Sequence, residues 1–217
     1  MPDYSSLRTQ MVDTQVRPSD VTKFPIIEAM LTVPRELFVP DALRATAYAG
    51  ETLDIAQDRV MLEPRTLAKM LDALDIDPAD LVLDVGAGLG YAAAVMARMA
   101  VAVVALEDDE TKVSDAEAVL AEAGVDNVAV VSGPLEAGAP KHGPYDVITI
   151  QGGVETVPAA LLDQLKDGGR IGAVFMDGAL GTCRIGHKFD GRVTWRYAFN
   201  AAAPVLPTFR MTRAFAL

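Results

Sequence analysis

Two carboxylates and a run of glycines are the residues of this chain whose types and spacing could do chemistry. Asp84 lies in an apolar run that leads into glycines at 86, 88 and 90, and Glu107 follows Gly86 by 21 residues. Glycine has no side chain to hold a ligand away from the backbone. A carboxylate at the end of the next parallel strand can accept hydrogen bonds from both hydroxyls of a ribose. The pattern therefore predicts a loop that binds a nucleoside-containing ligand.

The glycine spacing distinguishes between two classes of ligand. A dinucleotide loop reads G-x-G-x-x-G and places a pyrophosphate on the following helix N-terminus. This loop reads G-x-G-x-G with Tyr91 next, and the carboxylate of Asp84 precedes it. That carboxylate would repel a pyrophosphate, but it suits a ligand that carries an ammonium and a sulfonium. The spacing favours S-adenosylmethionine over a nicotinamide cofactor, with a purely structural turn as the remaining alternative. The predicted cofactor site comprises Asp84, Gly86, Ala87, Gly88, Gly90 and Glu107.

The elements that must position this loop alternate between strands and helices. Apolar runs that predict strands lie at 81–85, 101–106, 128–131, 147–150 and 170–175. Helices of about ten residues between such strands indicate right-handed βαβ units and a parallel sheet covered on both faces. Two last runs, 183–189 and 192–199, flank Asp190-Gly191, a dipeptide typical of hairpin turns. We predict an α/β, doubly wound, mostly parallel sheet with a C-terminal antiparallel hairpin.

The first 80 residues are predicted to be largely helical. Ser5 or Ser6 can cap a first helix that runs to about Val16, and a second helix stops before Pro34. A third helix opens at Glu63-Pro64 and carries one apolar face, formed by Leu67, Met70, Leu71 and Leu74. We predict an N-terminal helical cover and substrate-loop region over 1–80 and an S-adenosylmethionine-binding core over 81–217, together one structural unit.

Composition limits the partners. The 217 residues carry 19 Lys+Arg and 30 Asp+Glu, a net charge of −11, which argues against a general nucleic-acid binder. Cys183 is the lone cysteine and the two histidines lie far apart, so neither a disulfide framework nor a metal site is predicted. The N-terminus lacks the features of a signal peptide, and no apolar run is long enough to span a membrane. We expect a cytoplasmic protein; its oligomeric state stays open, with a monomer slightly favoured.

The chain also resembles the protein-L-isoaspartate O-methyltransferase family over nearly its whole length. The run Val33-Pro34-Arg35-Glu36-x-Phe38-Val39-Pro40 is close to a signature of that family, and Gly90-Tyr91-x-Ala93-Ala94-Val95 and Gly168-Gly169-Arg170 follow it in order. The resemblance implies a seven-stranded methyltransferase fold. It also implies S-adenosylmethionine-dependent methylation of the free carboxylate of isoaspartyl residues in damaged proteins.

Departures from the family pattern fall mostly on the substrate side. The family loop Gly-Gln-Thr-Ile-Ser-x-Pro corresponds to 58–64 here, so that Leu62 stands where the serine at the reacting carboxylate would be. No catalytic side chain is therefore predicted. The adenine-contacting Gly-Asp-Gly corresponds to Gly133-Pro134-Leu135, and a Thr-Ala-Ala run to Gln151-Gly152-Gly153. The resemblance places Pro134, Leu135 and Gln151 in the cofactor site and Arg59, Leu62 and Glu63 in the substrate site.

The missing serine weakens isoaspartyl chemistry without forbidding it. A carboxylate acceptor is already ionised at pH 7 and needs no general base. Loss of one neutral hydrogen bond costs about 0.5–1.5 kcal/mol, or ~3 kcal/mol when the donor acts in the transition state. Glu63 would repel the acceptor, whereas Arg59 or Arg65 could pair with it, and we hypothesise that one of these arginines anchors the substrate. The alternatives are a homologue that binds S-adenosylmethionine as a sensor, and a methyltransferase for another acceptor.

Overall fold

The computed structural model describes residues 3–211, whose centre is a seven-stranded sheet with the strand order β5-β4-β3-β6-β7-β8-β9. The helices are α1 Tyr4–Met11, α2 Phe24–Thr32, α3 Pro64–Leu74, α4 Tyr91–Ala97, α5 Glu110–Glu122 and α6 Ala159–Asp163. The sheet strands are β3 Leu81–Val85, β4 Ala102–Glu107, β5 Val128–Ser132, β6 Tyr145–Val154, β7 Leu165–Asp177, β8 Leu180–Phe189 and β9 Arg192–Asn200. The hairpin strands β1 Leu53–Ala56 and β2 Arg59–Met61 form a separate two-stranded sheet.

The strands β5, β4, β3, β6 and β7 pair in parallel, as the alternation of apolar runs predicts. Strand β3 lies between β4 and β6, and it is buried along nearly all of its length because both faces of a parallel sheet are covered. The order of the strands reverses at β3, so the loop after it lies at the switch point where ligands bind in such sheets. The predicted fold class is confirmed.

The last three strands form an antiparallel meander. Strand β8 pairs with β7 and then with β9. Its turn to β9 is formed by Asp190 and Gly191 at φ values of 49° and 70°, which is the left-handed geometry that this dipeptide favours. The predicted helix before β7 is shorter than expected, because β7 already begins at Leu165 and leaves α6 only Ala159–Asp163.

The helical front largely follows the prediction. Asp3, and neither of the two serines, caps α1, because its Oδ1 accepts from the backbone N–H of Ser6 at 3.2 Å. The helix continues as a π-helical turn to Val16. The apolar face of α3 is buried against the sheet, where β7 has Gly172 under Met70 and Leu74.

The hairpin β1–β2 was not expected, since 58–64 reads as a loop. Its two short strands pair antiparallel, and Asp58 turns between them at φ 55°. One hydrophobic cluster includes Met11 from the front, Ile55 from the hairpin and Val82 from the sheet, so the core continues across the boundary predicted near residue 80. None of the helices within 3–211 is long and apolar enough to cross a membrane.

Candidate active site

The glycine loop leaves the end of β3 in a backbone geometry that only glycine adopts without strain. Gly86, Gly88 and Gly90 have φ values of 71°, 59° and 91°, and Gly90 caps α4. The N–H of Gly86 donates to the carbonyl of Leu106 at 3.0 Å, which ties the loop to the end of β4. The sequence therefore brings the loop and the end of the neighbouring strand together, as its spacing predicts.

Asp84 is a fully buried carboxylate beneath this loop. Its Oδ1 accepts from Thr149 Oγ1 and from Gln151 Nε2, both at 2.7 Å. Its Oδ2 has no hydrogen-bond partner within residues 3–211. Burial raises the pKa of Asp84 to about 7, against the two hydrogen bonds, and the nearby charge of Glu107 raises it further. An unsatisfied buried carboxylate oxygen suits a cationic donor, because leaving it unpaired is costly.

Glu107 ends β4 and is also fully buried. Its Oε1 accepts from the backbone N–H of Gly88 at 2.5 Å, so the carboxylate faces the glycine loop, where a ribose-binding acid belongs. Both of its oxygens also lie 2.9 Å from Arg59 Nε, and Arg59 Nη2 lies 2.8 Å from Oε2. The structure thus pairs the predicted ribose acid with an arginine of the chain.

Arg59 comes from β2 of the hairpin and is 2% exposed. Besides Glu107 it contacts Asp108, whose Oδ1 lies 2.6 Å from Nη2. Burial would lower the pKa of Arg59, but the two carboxylates outweigh it and raise the pKa. The guanidinium is directed toward two acids of the chain, so this geometry gives no support to the prediction that Arg59 anchors an acceptor carboxylate.

Other side chains of the chain fill the space above the glycine loop. A Cβ built on Gly88 would lie 2.5 Å from Ile55 Cδ1, and one built on Gly86 would lie 3.5 Å from a methyl of Leu206. The gap left between the hairpin, α3, α4 and Gln151 has a volume of only about 10 Å³. A cleft of about 470 Å³ lies beside it, between the hairpin and the segment 204–210.

Leu62, the residue at the family serine position, is buried at 2% exposure. It lines the small gap together with Ala87 and Gln151, so the predicted substrate and cofactor residues meet there. Its carbonyl accepts from Arg35 Nη2 at 2.9 Å, and Arg35 Nε donates to the carbonyl of Ala47 at 2.6 Å. Arg35 therefore holds the backbone of the substrate loop at Leu62 and ties it to Ala47.

The remaining predicted site residues are less tightly grouped. Leu135 is buried, and its methyl lies 3.6 Å from a Cβ built on Gly86, whereas Pro134 only opens the turn before it. Glu63 is held at the start of α3, where its Oε1 accepts from Thr66 at 2.6 Å. Arg65 Nη1 lies 3.8 Å from Glu63 Oε1, and the side chain of Arg65 is 42% exposed. Arg65 is therefore less constrained than the buried Arg59.

Three contributors to the site were missed in the sequence. Thr149 is a lone hydroxyl within the apolar run of β6, which is the signal that could have marked it as a partner of a buried acid. Arg35 is part of the signature run, but no local pattern marks it as buried or as a donor to the carbonyl of Leu62. Leu206 reaches the loop from the far end of the chain, and no pattern in the sequence predicts that contact.

Comparison with known proteins decides the family. The model of the family named protein-L-isoaspartate(D-aspartate) O-methyltransferase matches residues 7–177. The chain belongs to the protein-L-isoaspartate O-methyltransferase family. A member from Methylorubrum extorquens is 42% identical over 171 residues, covering 79% of this chain and 75% of its own length. One from Roseiflexus castenholzii is 36% identical, covering 78% of this chain and 77% of its own.

Solved structures of isoaspartyl methyltransferases share the fold. One with 26% identity has a TM-score of 0.80 and covers 91% of this chain and 65% of its own. Another, from Plasmodium falciparum and in complex with S-adenosyl-L-homocysteine, has a TM-score of 0.79 at 19% identity. The match covers 95% of this chain and 99% of that structure's chain. Family membership confirms the prediction of an S-adenosylmethionine-dependent methyltransferase with isoaspartyl function, and the sensor and other-acceptor alternatives are not favoured.

The chain fits this cofactor in chemistry but, in this conformation, not in space. The unpaired oxygen of Asp84 suits an ammonium or sulfonium, and Glu107 stands where a ribose acid is expected. Ligand pockets ordinarily measure ~300–1,000 Å³. The gap beside Ala87 measures about 10 Å³, Ile55 covers Gly88 and Arg59 is paired with Glu107, so a cofactor on the glycine loop requires the hairpin to move.

Proposed function

We propose that this chain methylates the free carboxylate of isoaspartyl residues in proteins or peptides, and that the two buried carboxylates Asp84 and Glu107 hold S-adenosylmethionine on the glycine loop. The observation that carries the assignment is their position at the ends of adjacent strands β3 and β4, on either side of the loop. Ala87 belongs to the same loop, and Gln151 and Leu135 lie beside it. S-adenosylmethionine supplies the electrophilic methyl group when bound.

The chain's own residues contribute placement and a dry site. The acceptor carboxylate is ionised at neutral pH, so no side chain needs to remove a proton. Leu62, Ile55 and Tyr91 line the gap at the glycine loop and exclude water from it. Placement of two reactants can contribute roughly 7–11 kcal/mol to lowering the barrier of a bimolecular step. Arg35, through the carbonyl of Leu62, keeps the acceptor loop in position.

Which arginine binds the acceptor carboxylate is a separate proposal. Arg59 is bound to Glu107 and Asp108. Among the described residues, the half-exposed Arg65 has Glu63 at 3.8 Å, a carbonyl at 3.5 Å and the ring of Phe199 at 5.8 Å as its contacts. Arg65 is the better candidate of the two. The cytoplasmic location is likewise proposed, supported by the cysteine usage, since Cys183 is the single cysteine of the sequence and is a free thiol.

A labelled-methyl assay tests the function. The chain is incubated with S-adenosylmethionine carrying a labelled methyl group and with a peptide in its isoaspartyl or its aspartyl form. We expect base-labile label on the isoaspartyl peptide alone, since a carboxyl methyl ester hydrolyses in base. Equal labelling of both peptides, or binding of the cofactor without transfer to either one, would refute the assignment.

A further inference from the structure

The ion pair between Arg59 and Glu107 joins two parts of the molecule that share no sheet. Arg59 lies on the hairpin β1–β2, and Glu107 ends β4 of the seven-stranded sheet. The guanidinium engages both carboxylate oxygens of Glu107 at 2.8–2.9 Å. With the N–H of Gly88 also donating to Oε1, little acceptor capacity is left for a further pair of hydroxyls.

Asp108 adds a second hold on the same arginine. Its Oδ1 lies 2.6 Å from Arg59 Nη2 and 3.2 Å from Lys112 Nζ. Unlike Glu107, its side chain is 34% exposed. The arginine is therefore held by one buried acid that the cofactor needs and by one half-exposed acid beside it.

The same hairpin covers the glycine loop with an apolar side chain. Ile55 lies so close to Gly88 that a Cβ at that glycine would be 2.5 Å from Ile55 Cδ1. Val60 lines both the 10 Å³ gap on the loop and the 470 Å³ cleft outside the hairpin. Arg59 also lines that cleft, so the β2 strand is the wall between the cleft and the loop. Movement of this strand would join the two spaces.

We propose that the hairpin β1–β2 is a gate over the cofactor site, and that Arg59 and the ribose of S-adenosylmethionine compete for Glu107. The inference rests on the proposed cofactor role of Glu107. With Arg59 in place the loop is closed; when the guanidinium leaves Glu107, the strand β2 withdraws and the carboxylate accepts the two ribose hydroxyls instead. The affinity for the cofactor is then reduced by the fraction of molecules in which the gate is open.

Calorimetry and surface plasmon resonance with S-adenosylhomocysteine test the gate without any turnover. Arg59→Gln removes the cation but keeps a side chain of similar length, and Asp108→Asn weakens the hold without touching Glu107. Arg17→Gln is the matched control, because that arginine forms an exposed pair with Asp13. We expect Kd to fall about tenfold or more for Arg59→Gln and about two- to threefold for Asp108→Asn, with the control unchanged.

The kinetics separate a gate from a direct contact. A gate that must open first lowers the apparent association rate, so the gain in both variants should lie in the association rate, with the dissociation rate unchanged. Equal or weaker binding by both variants would overturn the gate while leaving the cofactor role intact. Should Arg59→Gln fail to fold, Asp108→Asn alone decides by the same criterion. Absence of binding by the wild type and every variant at millimolar ligand would overturn both proposals.

Discussion

Asp84 links the proposed cofactor site to the stability of the fold at the scale of a single residue. Its carboxylate is fully buried, with one oxygen unpaired within the described part of the chain. Burial raises the pKa of Asp84 to about 7, whereas an aspartate in the unfolded chain titrates near ~3.9. A raised folded-state pKa means that the stability contribution is fully present below about pH 4 and is lost as the pH rises toward 7.

Replacement of this carboxylate should therefore act in opposite directions on stability and on binding. We expect Asp84→Asn to be more stable than the wild type by roughly 2–4 kcal/mol at pH 8, a difference that narrows toward pH 4. The same variant should bind S-adenosylmethionine more weakly, because the ligand loses its counter-charge. Urea unfolding at both pH values and calorimetry check the two effects. A constant difference in stability across this pH range would show that Asp84 is ionised in the fold.

Leu62 allows the missing family hydroxyl to be tested by restoring it. Leu62→Ser should raise kcat/KM for an isoaspartyl peptide by roughly two- to tenfold, the equivalent of about 0.5–1.5 kcal/mol for one hydrogen bond. It should also lower the free energy of unfolding by about 2–4 kcal/mol, because Leu62 is buried. Leu62→Ala opens the same cavity without a hydroxyl. If the alanine variant gains as much activity as the serine variant, space rather than the hydroxyl is responsible.

At the scale of elements, the β8–β9 turn allows the free-energy cost of a positive φ to be measured separately from side-chain packing. Gly191 has φ 70°, and a Cβ there would meet nothing within 4 Å. Gly191→Ala should destabilise the chain by about 1 kcal/mol through backbone strain alone. Gly50→Ala is the control, since that glycine lies outside the positive-φ set and its Cβ would only touch Gln15 at 3.4 Å. Urea unfolding should show no loss for the control, and equal losses for both would contradict the strain argument.

Elements with a strong local pattern were predictable, and those held by distant contacts were not. The apolar face of α3 and the Asp190-Gly191 turn carry their periodicity and turn chemistry within a few residues. The approach of Glu107 to the glycine loop was predictable for the same reason, since strand ends of a parallel sheet share an edge. The hairpin β1–β2 depends on Ile55 meeting Gly88 and on Arg59 meeting Glu107, contacts across 33 and 48 residues that no local pattern reports.

On the scale of the whole molecule, the net charge of −11 opposes an acceptor that is itself anionic. The cleft beside the hairpin does not reduce this repulsion, because three acids outnumber two arginines among its lining residues. They are Asp54, Asp58 and Glu155 on the acidic side and Arg59 and Arg210 on the basic side. We expect KM for an acidic isoaspartyl peptide to fall severalfold between roughly 0.01 M and 0.15 M salt, where the Debye length shortens from ~30 to ~8 Å. A neutral peptide of equal length is the control. An increase of KM with salt would indicate local attraction instead.

The contact of Leu206 with the glycine loop also sets the order in which the molecule can be completed during synthesis. Strand β3 pairs with β6, which is 65 residues further along at Val82 and Val147, so the central sheet cannot close until β6 has been made. Leu206 covers Gly86 and Gly152 only after residue 206 has been made. The β7–β9 meander pairs neighbouring strands and can close once residue 200 has been made, after β6 but before Leu206. The cover of the proposed cofactor loop is thus completed only once Leu206 has been made, and a chain stopped before residue 206 would leave Gly86 uncovered on that side.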